Sequence, residues 1–211
     1  MKELLQEIND AVLNGKKDEV EPLVRQALSE DYDPSEILDV GMIAAMREVG
    51  SRFENGKIFV PEMLISALAM KSGLELLKPH LVEAGAGVVG TVIIGSVKGD
   101  LHDIGKNLVA MMLEGAGFEV IDLGADVEPE DFVTAAQESE ANIVGMSALL
   151  TTTMQNMKLV IEALDAGGVR DNVKVIVGGA PVNEDYAKEI GADGYAPDAS
   201  RAVKLVTSLI S

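Results

Sequence analysis

Hydrophobic residues in the first part of the chain recur at helical spacing, and no strand-like alternation interrupts them before about residue 80. The apolar faces cover residues 4–13, 20–28, 37–49 and 63–77. Asp33 and Pro34 suit the cap and first turn of the third helix, and Pro61 suits the start of the fourth. Four helices joined by short loops predict a helical bundle.

The pattern changes after a small-residue segment at 83–87, which we expect to be a linker and hinge. Short apolar runs, predicted as strands, follow at 88–94, 118–121, 142–146, 173–177 and 194–195. Amphipathic segments, predicted as helices, lie at 104–113, 129–137, 154–164, 184–190 and 199–210. This alternation is typical of a parallel sheet covered by helices on both faces. We therefore expect a helical cap domain over 1–87 and a Rossmann-like, flavodoxin-like domain with five parallel strands over 88–211.

Composition narrows the possible functions of this 211-residue chain. Its 35 acidic and 17 basic residues give a formal net charge of −18, which argues against a nucleic-acid partner. Without cysteine there is no disulfide, zinc–thiolate site, iron–sulfur cluster or thiol nucleophile. A metal must therefore be held by carboxylates, by a prosthetic group or by one of the two histidines, His80 and His102. No segment is apolar enough to span a membrane and no signal peptide is recognisable, so we expect a cytoplasmic protein.

The loop after the first predicted strand contains Asp100, His102 and Gly105 in the pattern D-x-H-x-x-G. Ligands bind at the carboxyl ends of parallel strands, and a neutral imidazole is a common metal ligand. A carboxylate two residues before His102 could bind the other ring nitrogen, and Gly105 would let the next helix approach a bulky ligand. The competing interpretation is an ordinary surface or capping pair. The glycine spacings of dinucleotide and P-loop sites are absent.

Two further strand-end loops add polar and small residues to the same edge of the predicted sheet. Hydroxyl groups cluster between Ser147 and Thr153 after the third strand, and Gly178-Gly179 follows the fourth. Helix capping and tight turns would explain each loop taken alone. The three loops together predict a narrow polar groove between the strands.

The second half resembles the cobalamin-binding domain of methionine synthase, base-off mutases and the corrinoid proteins of anaerobic methyltransferase systems. The resemblance rests on Asp100-Leu-His102-Asp-Ile-Gly105, on Ser147-Ala-Leu149 and on Gly178-Gly179. The first half, notably Phe53-Glu-Asn-Gly-Lys-Ile-Phe59-Val-Pro61, looks like the helical cap that accompanies this domain in methionine synthase and the methyl carriers.

The resemblance implies a role for each matching position. His102 would replace the cofactor's own base as lower axial ligand of cobalt, the base-off/His-on mode, and Asp100 would hydrogen-bond to its other nitrogen. Thr153 is the best match for a hydroxyl that extends this proton relay to solvent, although the three consecutive threonines leave the register open. The other implied cofactor contacts are Asp103, Ile104, Gly105, Ser147, Leu149, Thr151, Gly178, Gly179, Tyr195 and Ala196, and, for the upper face, Phe59, Met63 and Met70. Core packing is the competing explanation for those last three.

The function that the resemblance implies is that of a corrinoid protein carrying a methyl group on cobalt. The chain is too short to bind donor and acceptor as well, so it would be a non-autonomous corrinoid subunit of a cobalamin-dependent methyltransferase system, and whether it is itself an enzyme stays open. A substrate:corrinoid methyltransferase would load the methyl group, and a methylcorrinoid:acceptor methyltransferase would pass it to tetrahydrofolate or a thiol coenzyme. A reductive activator protein is the third implied partner. Methoxyaromatics, methanol, methylamines and betaines all stay open as donors.

Three other functions fit the pattern less well. A cobalamin-dependent sensor without methyl transfer would need a DNA-binding region, and no basic helix is present. A phosphoacceptor receiver domain needs an aspartate after the third strand and a lysine after the fifth, where this chain has Ser147 and Tyr195. An S-adenosylmethionine enzyme would have a G-x-G loop after the first strand, and only Asp122 supports that assignment.

Overall fold

The computed structural model of the chain describes residues 3–84 and 89–210 and divides into a helical unit and an α/β unit. The helical unit comprises residues 1–89 and 114–117, and the α/β unit comprises 90–113 and 118–211. Most of the predicted linker at 83–87 lies outside the described residues, so its role as a hinge stays a prediction.

The helical unit contains the helices that the hydrophobic spacing predicts. They are α1 (Glu3–Leu13), α2 (Lys17–Ser29), α3 (Pro34–Glu36), α4 (Ala44–Glu54) and α5 (Val60–Glu83). The side chain of Asp33 accepts a hydrogen bond from the Ser35 N–H at 2.8 Å, which caps α3 as expected. The longest helix is α5, with 24 residues. Neither it nor any other helix in the described part of the chain is long and apolar enough to cross a membrane.

A π-helical segment, Ile37–Ile43, joins α3 to α4, so the predicted third helix is continuous but irregular in its middle. At Gly41 a Cβ atom would lie 3.1 Å from the Ile8 Cγ2, so this glycine lets α1 pack closely against the segment. The Asn9 side chain donates to the Val40 carbonyl at 3.3 Å. Close packing and this side-chain donor compensate for the wider helical turn. Hydrophobic periodicity alone did not predict it.

The α/β unit is a single parallel sheet with the strand order β2-β1-β3-β4-β5. Its strands are β1 (Thr91–Ser96), β2 (Glu119–Asp122), β3 (Ile143–Ser147), β4 (Lys174–Gly178) and β5 (Gly194–Tyr195). Its helices are α6 (Ile104–Gly115), α7 (Pro129–Ser139), α8 (Thr151–Met154), α9 (Asn156–Ala166), α10 (Glu184–Ile190) and α11 (Ala199–Ile210). The predicted five-stranded, flavodoxin-like fold is therefore confirmed, with strand ends shifted by a few residues.

The core of the α/β unit lies against the central strands, which are buried on both faces. Strands β1, β3 and β4 read as near-continuous apolar runs because helices cover them from both sides. On one face Phe132 of α7 is fully buried against Gly95 of β1, where a Cβ atom would lie 2.7 Å from its ring. Side-chain packing thus explains the glycine near the carboxyl end of β1.

The strand order places the candidate site. In the sheet, β2 lies next to β1 on one side and β3 lies next to β1 on the other, so the strand order reverses at β1. The loops that follow β1 and β3 therefore diverge and leave a crevice at the carboxyl ends of these neighbouring strands, which is the usual ligand position in such sheets. The loop with Asp100 and His102 follows β1, and the loop with Leu149, followed by the short helix α8 with Thr153, comes after β3.

A buried cation anchors the start of α6. Lys106 is among the largest fully buried side chains, and its Nζ contacts both carboxylate oxygens of Asp122 at 2.5 Å and the Asn107 Oδ1 at 2.6 Å. Asp122 is the last residue of β2 and is 40% exposed. The ion pair therefore ties the first turn of α6 to the carboxyl end of the edge strand.

We predict that removing the anion of this pair destabilises the protein more than removing the cation. Asp122→Ala leaves a buried ammonium without its counter-ion and should cost about 2 kcal/mol, below the roughly 3–5 kcal/mol of a fully buried pair because Asp122 is partly hydrated. Lys106→Met keeps the volume and leaves a carboxylate that water can reach, so its cost should be smaller. Urea unfolding of both variants gives the comparison, and a larger loss in Lys106→Met would contradict the prediction.

Candidate functional site

The centre of the site is the pair Asp100 and His102, in the loop between β1 and α6. The Asp100 side chain is fully buried, whereas that of His102 is 51% exposed. The Oδ1 atom of Asp100 lies 2.8 Å from the imidazole Nδ1 and accepts the backbone N–H of His102 at 3.0 Å. Because an ionised carboxylate only accepts hydrogen bonds, Nδ1 is assigned as the donor, and in the neutral imidazole Nε2 then keeps its lone pair. No group in residues 3–84 or 89–210 hydrogen-bonds to Nε2, so this nitrogen is available to a ligand.

The second oxygen of Asp100 binds the loop that follows β3. Its Oδ2 accepts the N–H of Leu149 at 2.7 Å, the hydroxyl of Thr153 at 2.6 Å and, more weakly, the N–H of Leu150 at 3.4 Å. Of the three consecutive threonines, Thr153 is therefore the one that meets the carboxylate. One buried carboxylate joins the two loops that border the crevice.

Hydrogen bonding determines the charge of Asp100. Burial by itself would raise the pKa of this carboxyl group, but the hydrogen bonds from Thr153, Leu149 and His102 outweigh it and hold the pKa well below the ordinary value of 3.8. Asp100 is therefore an anion throughout the physiological range. A fixed negative charge behind Nδ1 holds the imidazole in one tautomer and makes Nε2 a better electron donor.

The strand ends beside this pair carry small residues. Ser96, Ser147 and Gly178 occupy matching positions at the ends of β1, β3 and β4. Gly179 has a φ of +121°, and a Cβ atom there would collide with the carbonyl oxygen of Ala148. Only glycine lets the β4 loop approach the β3 loop this closely, so the predicted glycine pair has a steric cause.

The space next to His102 is open and is bordered by apolar side chains. A Cβ atom at Gly105 would meet nothing within 4 Å. Large apolar side chains that flank the site are nevertheless exposed, namely Leu101, Ile104, Leu149 and Leu150. Such exposure in the loops of one edge marks a binding surface, since these four are among only five exposed leucine and isoleucine side chains in the described part of this unit.

The donor set fits a metal that brings its own equatorial ligands. Within the described ranges no three or more His, Cys, Asp or Glu side chains cluster in a way that would hold a bare ion. His102 offers one free ring nitrogen, and the neighbouring carboxylate is already saturated by donors. A single imidazole with a free ring nitrogen, next to an open surface with exposed apolar side chains, suits a large metal-containing macrocycle such as a corrin better than a bare metal ion.

Other predicted contacts in the α/β unit lie at the same strand ends without touching the pair. Tyr195 is partly exposed at the end of β5, and Ala196 donates its N–H to the Val177 carbonyl at 3.1 Å. Asp103 accepts from the Asn107 side chain at 3.2 Å, and Thr151 is exposed. Contact of these residues with a cofactor stays a prediction.

The three residues predicted in the helical unit differ in exposure. Phe59 is 67% exposed just before α5, whereas Met63 and Met70 are fully buried. The burial of both methionines agrees with the competing explanation by core packing. A contact of any of the three with a cofactor stays a prediction.

Sequence reasoning missed several residues that build the site. Leu101 is an apolar residue between Asp100 and His102, a signal that could have marked it as ligand-facing. Leu150 ends an apolar run of three residues between β3 and α8, which gives no such contrast. Ser96, whose hydroxyl donates to the His102 carbonyl at 2.8 Å, looks like any polar residue at a strand end. Asp126, which hydrogen-bonds to the turn before Asp100, is distant in sequence and gives no local signal.

Comparison with protein families and curated proteins covers nearly the whole chain. A family model described as a B12 binding domain matches residues 90–204, and a second one with the same description matches residues 4–78. The chain is 48% identical over 210 residues to the dimethylamine corrinoid protein of Methanosarcina barkeri, covering 99% of this chain and 98% of the relative. It is 42% identical over 210 residues to a corrinoid protein of Desulfitobacterium hafniense, covering 98% and 97%.

Solved structures give the same result. The methanol:cobalamin methyltransferase complex of Methanosarcina barkeri contains a chain with a TM-score of 0.88 and 33% identity, which covers 99% of this chain and 80% of that one. A cobalamin-binding protein of Desulfitobacterium hafniense has a TM-score of 0.81 and 32% identity, with 98% of each chain covered.

We predict that Thr153→Val lowers the free energy of unfolding by about 2 kcal/mol, since it removes a donor to a buried carboxylate. Because the folded-state pKa of Asp100 is lowered, the stabilisation by its charged form is fully present above the unfolded pKa. It is lost as the pH falls through the folded-state value. The deficit of Thr153→Val should therefore be largest near neutral pH and smaller in acid.

The matched control is Thr152→Val, because Thr152 is exposed. That variant should change the free energy of unfolding by less than about 0.5 kcal/mol. Chemical denaturation at neutral and acidic pH measures both variants, and equal losses would show that the Asp100 contact contributes nothing.

Proposed function

The chain belongs to the family of B12-binding corrinoid proteins, and we propose that it carries a methyl group on a bound corrinoid between two methyltransferases. The observation that carries this proposal is His102, with a free Nε2 and with Nδ1 bound to a buried anion. It lies in a chain that is similar over its full length to methylamine corrinoid proteins. The α/β unit and the helical unit each match a B12 binding domain, so binding of cobalamin or a related corrinoid follows from family membership.

In this proposal the corrinoid is bound with its own base displaced and with His102 as the lower axial ligand. When bound, the corrinoid supplies the cobalt that accepts the methyl group and gives it up again. The exposure of the His102 ring and the lone pair on Nε2 support this mode. The open space at Gly105 supports it too, since a bulky ligand can approach there.

Asp100 and Thr153 would set the protonation of the axial ligand. Since Asp100 stays ionised and holds Nδ1, Nε2 of His102 is the one ring nitrogen left for either a proton or the metal. Protonation and axial binding therefore compete for one lone pair. Thr153 contacts Asp100 at 2.6 Å and so modulates how strongly the carboxylate holds the imidazole, which is the relay role that we assign to it.

The displaced nucleotide tail of the corrinoid would lie in the groove between the strand ends. Gly105, Ser147 and Gly178 leave room there because none has a side chain larger than a hydroxymethyl group. We assign Tyr195 and Ala196 at the end of β5 to the base of that tail. Leu149, Leu101 and Ile104 offer apolar contact to the ring face, which their exposure supports.

The helical unit is assigned to the upper face of the corrinoid. Phe59 is the best supported of its three candidates, because an exposed aromatic ring can cover an apolar surface. Met63 and Met70 would have to leave their buried positions to take part.

The donor that we propose is a methylamine, with dimethylamine first, because relatives at 45–48% identity carry that name. The loading partner is then an amine:corrinoid methyltransferase. The second methyltransferase, a reductive activator and a cytoplasmic location complete the proposal. The chain itself acts as the carrier subunit and needs these partners for turnover.

The donor assignment can be tested directly. The reconstituted, reduced protein should take up isotopically labelled methyl groups from dimethylamine in the presence of a dimethylamine-specific methyltransferase, because the loading enzyme must recognise this surface. It should take up fewer from methanol with a methanol-specific enzyme. Label co-eluting with the protein is the measurement. A cobalamin sensor, the competing function, would bind the corrinoid and take up no label from any donor.

We predict that His102→Ala still binds the corrinoid, because groove and apolar contacts remain, but loses the spectrum of imidazole-ligated cobalt. Reductive activation should also slow. Absorbance and electron paramagnetic resonance of the loaded protein report the axial ligand. His80→Ala is the matched control, since His80 lies near the end of α5 and is half-exposed. Its contact with Glu83, at 4.0 Å between Nδ1 and Oε2, is weak. An unchanged absorbance spectrum in His102→Ala would refute the axial assignment.

A further inference from the structure

The turn that carries Asp100 is held by a residue outside the D-x-H-x-x-G motif. Asp126 lies in the loop between β2 and α7. Its carboxylate Oδ1 accepts the N–H of Gly99 at 2.8 Å, and its own N–H donates to the Asp100 carbonyl at 3.0 Å. Asp126 thus binds the backbone on both sides of the peptide that joins Gly99 to Asp100.

The backbone of Asp126 is in a conformation that is unfavourable for most residues. Its φ is +57°, in the left-handed region, which few residues other than glycine, asparagine and aspartate adopt. Gly99 also has a positive φ, +82°. Two turns that each contain a residue in the left-handed conformation therefore meet through the two hydrogen bonds.

The surroundings stabilise the same turn. Lys98 Nζ lies 3.4 Å from the Asp126 Oδ1 and 2.7 Å from Glu128, and the Asn156 side chain donates to the Lys98 carbonyl at 2.6 Å. The pKa of Asp126 is lowered, mainly by the Gly99 N–H, so its carboxylate is charged and the hydrogen bond is charge-assisted. The clamp on Gly99 is therefore stronger than an ordinary surface contact.

We infer that Asp126 is a positioning residue for the axial ligand: by fixing the Gly99–Asp100 turn it keeps the carboxylate of Asp100 under Nδ1 of His102. This inference rests on the proposed function of His102. Asp126 does not contact the imidazole, and it acts through the backbone of the turn. Without it, the turn would populate other conformations and the bound metal would lose its imidazole ligand more often.

Two substitutions distinguish the effect of the Asp126 carboxylate from the effect of its positive φ. Asp126→Gly adopts the positive φ freely but has no acceptor for the Gly99 N–H. Asp126→Asn tolerates the same φ and keeps an acceptor oxygen, although it has no charge. Lys98→Ala is the control for the ion pair, because an exposed pair contributes little by itself.

The first measurement is the fraction of histidine-ligated cobalt in cob(II)alamin-loaded protein, read from the nitrogen splitting of its paramagnetic resonance. Asp126→Gly should lower the ratio of ligated to unligated cobalt about tenfold, the effect of one charge-assisted hydrogen bond. Asp126→Asn and Lys98→Ala should lower it less than about threefold. The affinity for the corrinoid should change little in all three.

The second measurement uses the protein without a corrinoid. Hydrogen exchange at the Gly99 amide should accelerate about tenfold in Asp126→Gly and little in Lys98→Ala, because the former loses the acceptor itself. A wild-type protein with no nitrogen splitting would refute the axial role of His102. If nitrogen splitting is equal in the wild type and in Asp126→Gly, the positioning role of Asp126 is refuted while the axial role of His102 stands. An effect of Lys98→Ala as large as that of Asp126→Gly would refute the positioning role as well.

Discussion

The buried carboxylate of Asp100 is the interaction on which the site depends. Its two oxygens accept five hydrogen bonds from His102, from the loop after β3 and from Thr153 of α8. A carboxylate left unpaired at this depth would be costly, so both loops must keep their positions while the anion stays buried. The same contacts hold the imidazole with Nε2 free. Folding energy and ligand geometry therefore come from one set of hydrogen bonds.

Several features of the fold, each one a layer of support, position that carboxylate. The reversal of strand order between β1 and β3 creates the crevice, and Gly179 lets the β4 loop close against its edge. The pair of Lys106 and Asp122 fixes the start of the helix that follows His102. Each layer restricts a different part of the same loop. Together these restraints hold the hydrogen bond between the carboxylate and the imidazole in a single geometry.

Much of this organisation could be predicted from the sequence. Apolar periodicity distinguished helices from strands because the two structures bury side chains at different spacings, and the change near residue 87 separated the two halves. The D-x-H-x-x-G spacing indicated the ligand and its partner because both residues lie in one short loop. The π-helical segment Ile37–Ile43 and the buried Lys106 were not predicted, since neither alters the pattern of apolar positions.

The sequence by itself determined the fold class and the family and singled out His102 as the candidate ligand, because these depend on local spacing and on short motifs. Only the tertiary structure decided which threonine meets Asp100, why Gly179 must be glycine and that Asp126 clamps the turn. The physical reason is the range of the contacts. Asp126 lies 27 residues from Gly99, and Thr153 lies 53 residues from Asp100. Such partners meet only when parallel strands bring their loops to one edge of the sheet.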